Sequence, residues 1–162
     1  MKQIFLSIQD RLAEQVEAIR YIDKNWGQLN MPQPPVQWPC CLIDLDSIEY
    51  SQITALDRLA DATVSITVAD QHTVRSSGKA PSKSDAYGIL DVLEQVIEAL
   101  EGYRVPSTTQ AFTRTRLAKT FCDQSYDVYT LTFTTAWVEH IDNGGETVEA
   151  SPSIVTQFVL PG

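Results

Sequence analysis

Ile4, Ile8, Leu12, Val16 and Ile19 recur at steps of three and four residues, with Gln9, Glu14 and Glu17 between them. That period predicts an amphipathic helix from about Lys2 to Arg20. Further on the period changes to two. Cys41, Ile43 and Leu45 alternate with Leu42, Asp44 and Asp46, and Ala62, Val64, Ile66 and Val68 alternate with Thr63, Ser65 and Thr67. Both stretches predict half-buried strands, antiparallel neighbours, with Glu49 to Ile53 able to extend the first before a polar turn at Asp57-Arg58. Tyr87, Leu90, Leu93, Ile97 and Leu100 then mark the core face of a second helix, with Ser82 or Ser84 as its cap, Asp85 in its first turn and Gly102 ending it in a left-handed conformation. Phe112 to Thr120 and Val128 to Val138 alternate again, with Tyr129, Leu131, Phe133, Thr135 and Trp137 on one side, and predict a second hairpin around Cys122 to Ser125. Beyond it come a polar stretch with a turn at Asn143-Gly144-Gly145 and a short terminal strand, Ser153 to Leu160.

The intervals carry their own signals. Asn25 to Pro39 holds Gly27, Pro32, Pro34, Pro35 and Pro39, which excludes both a helix and a central strand. It predicts an extended connector, with Trp26 and Trp38 fastening it to the core. Gln71 to Ser84 has turn residues and no apolar period, which predicts a mobile loop. The order of elements predicts one domain over residues 1–162 of the α+β class: a mostly antiparallel sheet with the N-terminal and central helices packed on one face.

Composition narrows the function. Of the 162 residues 43% are hydrophobic and 20% charged, as in a globular chain with a packed core. No apolar run approaches the twenty residues of a membrane span, and Gln9, Asp10 and Arg11 interrupt the N-terminus too early for a signal peptide, so a cytoplasmic protein is expected. The formal net charge is −9, and no Lys or Arg occurs from Thr120 to Gly162. A field of that sign repels phosphate and argues against nucleic-acid binding.

Little in the sequence carries chemistry. His72 and His140 are the only histidines and lie near no cysteine pair, and Cys40-Cys41 lacks metal-ligand spacing because successive strand residues point to opposite faces. Cys122 beside Asp123 has its thiolate disfavoured by the adjacent charge. Asp44 and Asp46 put two carboxylates on one strand face, a spacing that can hold a divalent ion but more commonly makes a solvated face. No glycine-rich phosphate loop or nucleophile elbow occurs, so no catalytic residue, metal or cofactor is expected. Two features suit assembly instead. His72, Arg75, Lys79 and Lys83 form a basic patch in a loop without acidic residues, able to order against an acidic partner. Arg114 and Arg116 are spaced to share a strand face, with Asp44 and Asp46 as their complement in the same chain or the next.

The N-terminal amphipathic helix, Trp38-Pro39-Cys40-Cys41-Leu42-Ile43-Asp44, Ala62 to Val68, the helix opening Ser84 to Asp91, Phe112-Thr113-Arg114-Thr115 and Asp127 to Phe133 together form a pattern. It resembles the tail terminator and tail-completion proteins of long-tailed phages, including the minor tail protein U type. The resemblance spans nearly the whole chain. It implies an α+β structural protein, not an enzyme. It also implies a ring, commonly hexameric, that stops tail-tube growth and meets the head connector, with the tail-tube and head-tail connector proteins as partners. The place of action is then the host cytoplasm during assembly and afterwards the virion tail. Other neck, connector or tube components share related folds and are the first alternative. A small enzyme or ligand-binding domain using Asp44, Asp46 and a histidine is the second.

Overall fold

The computed structural model describes residues 1–71, 79, 81, 84–120 and 126–142. Two helices and five strands follow in the order α1 (Lys2–Gln15), β1 (Tyr21–Lys24), β2 (Cys40–Gln52), β3 (Asp57–Gln71), α2 (Gly88–Leu100), β4 (Thr113–Thr120) and β5 (Tyr126–His140). The sheet order is β1-β2-β3-β5-β4. Three of its four pairings are antiparallel, and β1 runs parallel to the start of β2. The class is α+β, as the periodicities indicate.

Both helices pack on one face of the sheet. Ile4, Ile8, Leu12 and Val16 from α1 and Ile89, Val92, Leu93, Val96 and Leu100 from α2 close over Ile43, Val64, Ile66, Leu131 and Phe133. Each fully buried aliphatic side chain there is worth about 1.5–3 kcal/mol of transfer free energy. Arg11 ties the helices together: its Nε donates to the Ala99 carbonyl at 3.0 Å, and its guanidinium lies 4.9 Å from the Tyr103 ring centroid. Tyr129, Leu131, Phe133, Thr135 and Trp137 point to this helix face, as the alternation requires.

Among the described residues, the opposite face is covered at one end only. Cys40, Ala69 and Val128 are buried there beneath Leu29, Val36 and Trp38, so the proline-rich connector is the lid of a second, smaller core. Trp38 stacks on Tyr126 with centroids 4.8 Å apart. Trp26 behaves otherwise than expected: it is half exposed, its Nε1 donates to Asp23, and it fastens nothing. The inner anchor is Gln28, fully buried, which donates to the Lys24 carbonyl and accepts from the Trp26 amide. Gly27, with φ +91°, makes the turn between them.

Several boundaries differ from expectation. α1 stops at Gln15, because the chain must turn through Val16 to deliver Ile19 to the core and Tyr21 to the sheet. That delivery creates β1, whose four residues are too few to show a period. α2 begins at Gly88, after a single 3-10 turn over Asp85–Tyr87, and the Ser84 hydroxyl bonds Asp85 instead of capping the backbone. Its buried stripe is Ile89, Val92, Leu93, Val96 and Leu100, which leaves Tyr87 and Leu90 exposed. Gly102 does follow α2 with φ +74°. The β2–β3 turn falls at residues 53–56, earlier than Asp57-Arg58, because the Thr54 hydroxyl accepts from the Leu56 and Asp57 amides and closes the chain there. β4 and β5 pair antiparallel as expected. Their connection through Cys122, the Asn143-Gly144-Gly145 turn and the strand expected at Ser153 to Leu160 lie outside the described residues.

A candidate assembly surface

Past the connector, nothing among the described residues covers the helix-free face of the sheet, and its centre is made of hydroxyls. Direct cross-strand pairs Thr63/Thr134, Ser65/Thr132 and Thr67/Thr130 succeed one another along β3 and β5. Paired residues share a face, and these alternate with the buried Val64, Ile66, Leu131 and Phe133 on the helix side. Threonine suits this place because its branched Cβ fits a pleated strand while its hydroxyl faces water. The hydroxyls bond one another and the backbone: Thr120 to Thr130 at 3.1 Å, Thr67 to Thr130 at 3.4 Å, and Thr115 to the Thr132 carbonyl at 3.2 Å.

Charge flanks this neutral strip, and two β-bulges decide where it stands. Asp44 pairs with Ser65 on the open face. The register then slips between Leu45 and Ser47, which leaves Asp46 unpaired with a strand partner but still on the open face, where it accepts a hydrogen bond from the Ser65 hydroxyl. The two aspartates therefore share a face. The slip also brings Glu49 to the open face, directly opposite Asp61 on β3.

The second bulge separates the two arginines. Arg114 pairs with Phe133, on the helix side, and Arg116 pairs with Thr132, on the open side. The expectation that they share a face fails, because the extra residue Thr115 inverts the alternation. Arg114 bends to Glu101 after the end of α2, with Nε 3.9 Å from Oε2 and its amide donating to the same carboxylate at 3.2 Å. The Arg116 side chain has no hydrogen bond or ion pair among the described residues.

Asp44, Ser65, Thr132 and Arg116 form one row across four strands. Three strand spacings, roughly 14 Å, separate its ends. Pairing of Asp44 or Asp46 with the arginines inside one chain is thereby excluded. Of the basic loop residues, Lys79 is exposed, and His72, Arg75 and Lys83 lie outside the described residues.

The geometry bears on catalysis as well. Cys41 is wholly buried among the helix-side core residues, and Cys40 is buried under the connector, where burial pushes its thiol up to about 12. Burial raises the Cys41 thiol too. Neither supplies a thiolate at neutral pH. His140 bonds Asp57 at 2.8 Å, and that bond, with one from Thr54, holds the Asp57 carboxyl below its ordinary range. The pair stands eight residues along β3 from the Asp44 row, roughly 26 Å away, so His140 and the two aspartates are not one site. No cluster of three or more His, Cys, Asp or Glu side chains able to hold a metal occurs among the described residues. No helix among them is long and apolar enough to cross a membrane.

Sequence reasoning missed Glu49 and Asp61 as members of this surface, and Leu117 as an exposed residue at the helix side of its edge. Glu49 sits at an odd position that only the Asp46 bulge turns outward, and Leu117, 48% exposed, reads as core in any alternating pattern. The chain matches no protein-family model and no curated protein.

Proposed function

We propose that this chain is a structural tail protein of a phage or prophage, which closes into a ring, six-fold by the resemblance, that caps the tail tube and joins it to the head connector. One observation carries the proposal. The open face is a neutral hydroxyl strip between an acidic edge (Asp44, Asp46, Glu49) and Arg116 at the opposite edge, whose side chain has no partner among the described residues. A surface whose two ends complement each other suits head-to-tail association, which makes a closed ring when its rotation closes. Turned inward, that face gives a lumen wall of hydroxyls and carboxylates in which each Arg116 meets the acidic edge of the next copy, and the net charge of −9 per chain is repeated around it. Duplex DNA would pass such a wall without being held. No cofactor or metal enters this function, and its partners are further copies of itself, the tube subunit and the connector.

The test adds purified protein to growing tubes of the cognate tail-tube subunit and measures tube length and end structure by electron microscopy. Shortened, uniform tubes with a ring of extra density at one end are expected. Unchanged lengths and bare ends would defeat the proposal.

A further inference from the structure

We infer that the outer edge of β4 pairs antiparallel with the free half of β2 in a second copy of this chain, in the register that sets Arg116 opposite Glu49, Leu117 opposite Ile48 and Ala118 opposite Ser47. This deepens the ring proposed above by naming its contact, and it rests on that reading only for closure into a ring.

The edges themselves allow it. Among the described residues β4 ends the sheet on one side, and nearly all of its side chains are exposed. On the other side β1 covers only Cys40–Ile43 of β2, and the Asn25 amide takes the Ile43 carbonyl at 2.7 Å. From Leu45 to Gln52 the outer edge of β2 has no neighbouring strand among the described residues. Three antiparallel steps separate β2 from β4, so the two run in opposite directions. Copies rotated about an axis along the strands therefore meet β4 to β2 as an antiparallel pair, the geometry of strand addition.

Side chains select the register. On the open face of β2 and β3 stand Asp44, Asp46, Glu49 and Asp61, with no basic residue among them. Glu49 and Asp61 are directly opposite, and like charges in that relation destabilise a sheet. Arg116 from the next copy would relieve that repulsion. On the helix face the same register brings the exposed Leu117 against half-buried Ile48 and beside Tyr50, 47% exposed. A slip of one residue would put Arg116 over the apolar side and Leu117 against Glu49. A slip of two keeps the faces but parts arginine from glutamate. The charges also oppose the competing contacts, since β2 against β2 would bring acids together.

The experiment uses the full chain. Ser47→Cys and Ala118→Cys are made in separate preparations, mixed under oxidising conditions, alone and on cognate tube ends, and the disulfide is located by mass spectrometry. Directly opposite residues have Cβ atoms about 4.5–5.5 Å apart, close enough to be trapped. A Ser47–Ala118 link between chains is expected, while Ser51→Cys with Ala118→Cys, four residues out of register, gives none. In parallel, Arg116→Glu should raise the concentration for half-assembly about tenfold, and adding Glu49→Arg should restore it. Ser47, Glu49, Ser51 and Arg116 are exposed and Ala118 is half-buried, and an unchanged unfolding midpoint shows that each variant folds. Rings that form without the link and tolerate Arg116→Glu overturn the contact and leave the ring standing. The link and the rescue without any effect on tubes support the contact and overturn tube capping. Chains that neither cross-link nor assemble under any condition overturn both.

Discussion

The two halves of β2 share one strand and differ in every other respect. Cys40–Ile43 is buried on both sides, beneath α1 and α2 on one face and the connector on the other. Ser47–Gln52 continues the same ladder with β3 but stands almost wholly in solvent. The first half is held by its own chain. The second is a paired strand whose outer edge has no neighbouring strand among the described residues, and open edges in natural sheets are either protected or used. Its protection is weak, since Tyr50 is exposed on one face and the acids on the other repel one another.

The sharpest test of this contrast compares a truncation in the packed core, on β5, with one in the exposed half of β2. Phe133→Ala removes a ring packed edge-on against Phe112 at 6.1 Å and should cost about 3–5 kcal/mol in urea unfolding. Tyr50→Ala, in the exposed half, should stay within about 0.5 kcal/mol for the free chain. A large cost for Tyr50 would mean that the second half is held from within after all.

Next in size is the connector lid. Trp38→Ala should cost about 2 kcal/mol by removing buried area and the stack on Tyr126. It should also open Cys40 to alkylation while Cys41, on the helix face, stays protected, as peptide-resolved labelling would show. Equal protection of both thiols would break the assignment of Cys40 to a separate core.

The end of β3 offers a smaller effect. Burial, then the facing Asp127, raises the Asp70 carboxyl above its ordinary value of 3.8, against the pull of the Gln71 amide and Arg20. A raised acid favours the protonated form in the fold, so the ionised group costs stability above the unfolded value, and the cost disappears as pH falls below it. Asp70→Asn should therefore stabilise the chain at pH 7 by about 0.5 kcal/mol after solvent screening, with no gain below pH 3.8. An equal gain at both pH values would assign the effect to something other than ionisation.

The smallest effect is at the tip of the exposed half. The Asp57 carboxyl is depressed by His140 and Thr54, so its contribution is present above 3.8 and is lost as pH falls through the lower folded value. Amide exchange at residues 54–57 should quicken there while amides of Ile66 and Leu131 stay protected. Simultaneous loss of both would show that the two halves unfold together.

Much of the packed half was legible in the chain. The α1 stripe Ile4, Ile8, Leu12 and Val16 and the β5 side Tyr129 to Trp137 each repeat a single period and face one core. α2 was found but turned slightly wrongly. Its sequence is apolar at so many positions that Leu90 and Ile89 compete for the inner face, and only packing on β3 favours Ile89. The assembly surface was half legible. Asp44 and Asp46 were recognised as neighbours on one face, while Arg114 and Arg116 were joined wrongly, because a bulge leaves no trace in an alternating pattern.

The sequence by itself determined the α+β class, the two helices, the strand pairs and the acidic charge, because each is written in periods or counts that local physics reads. Tertiary structure alone decided three things. β1 became a parallel edge strand because α1 ended early enough to deliver it. The connector became a lid because Trp38 found Tyr126, distant in sequence, and because Gln28, bonded locally to Lys24 and Trp26, was buried by the fold. The bulges at Asp46 and Thr115 chose which charges share a face, since register depends on how two strands meet and neither strand alone contains it.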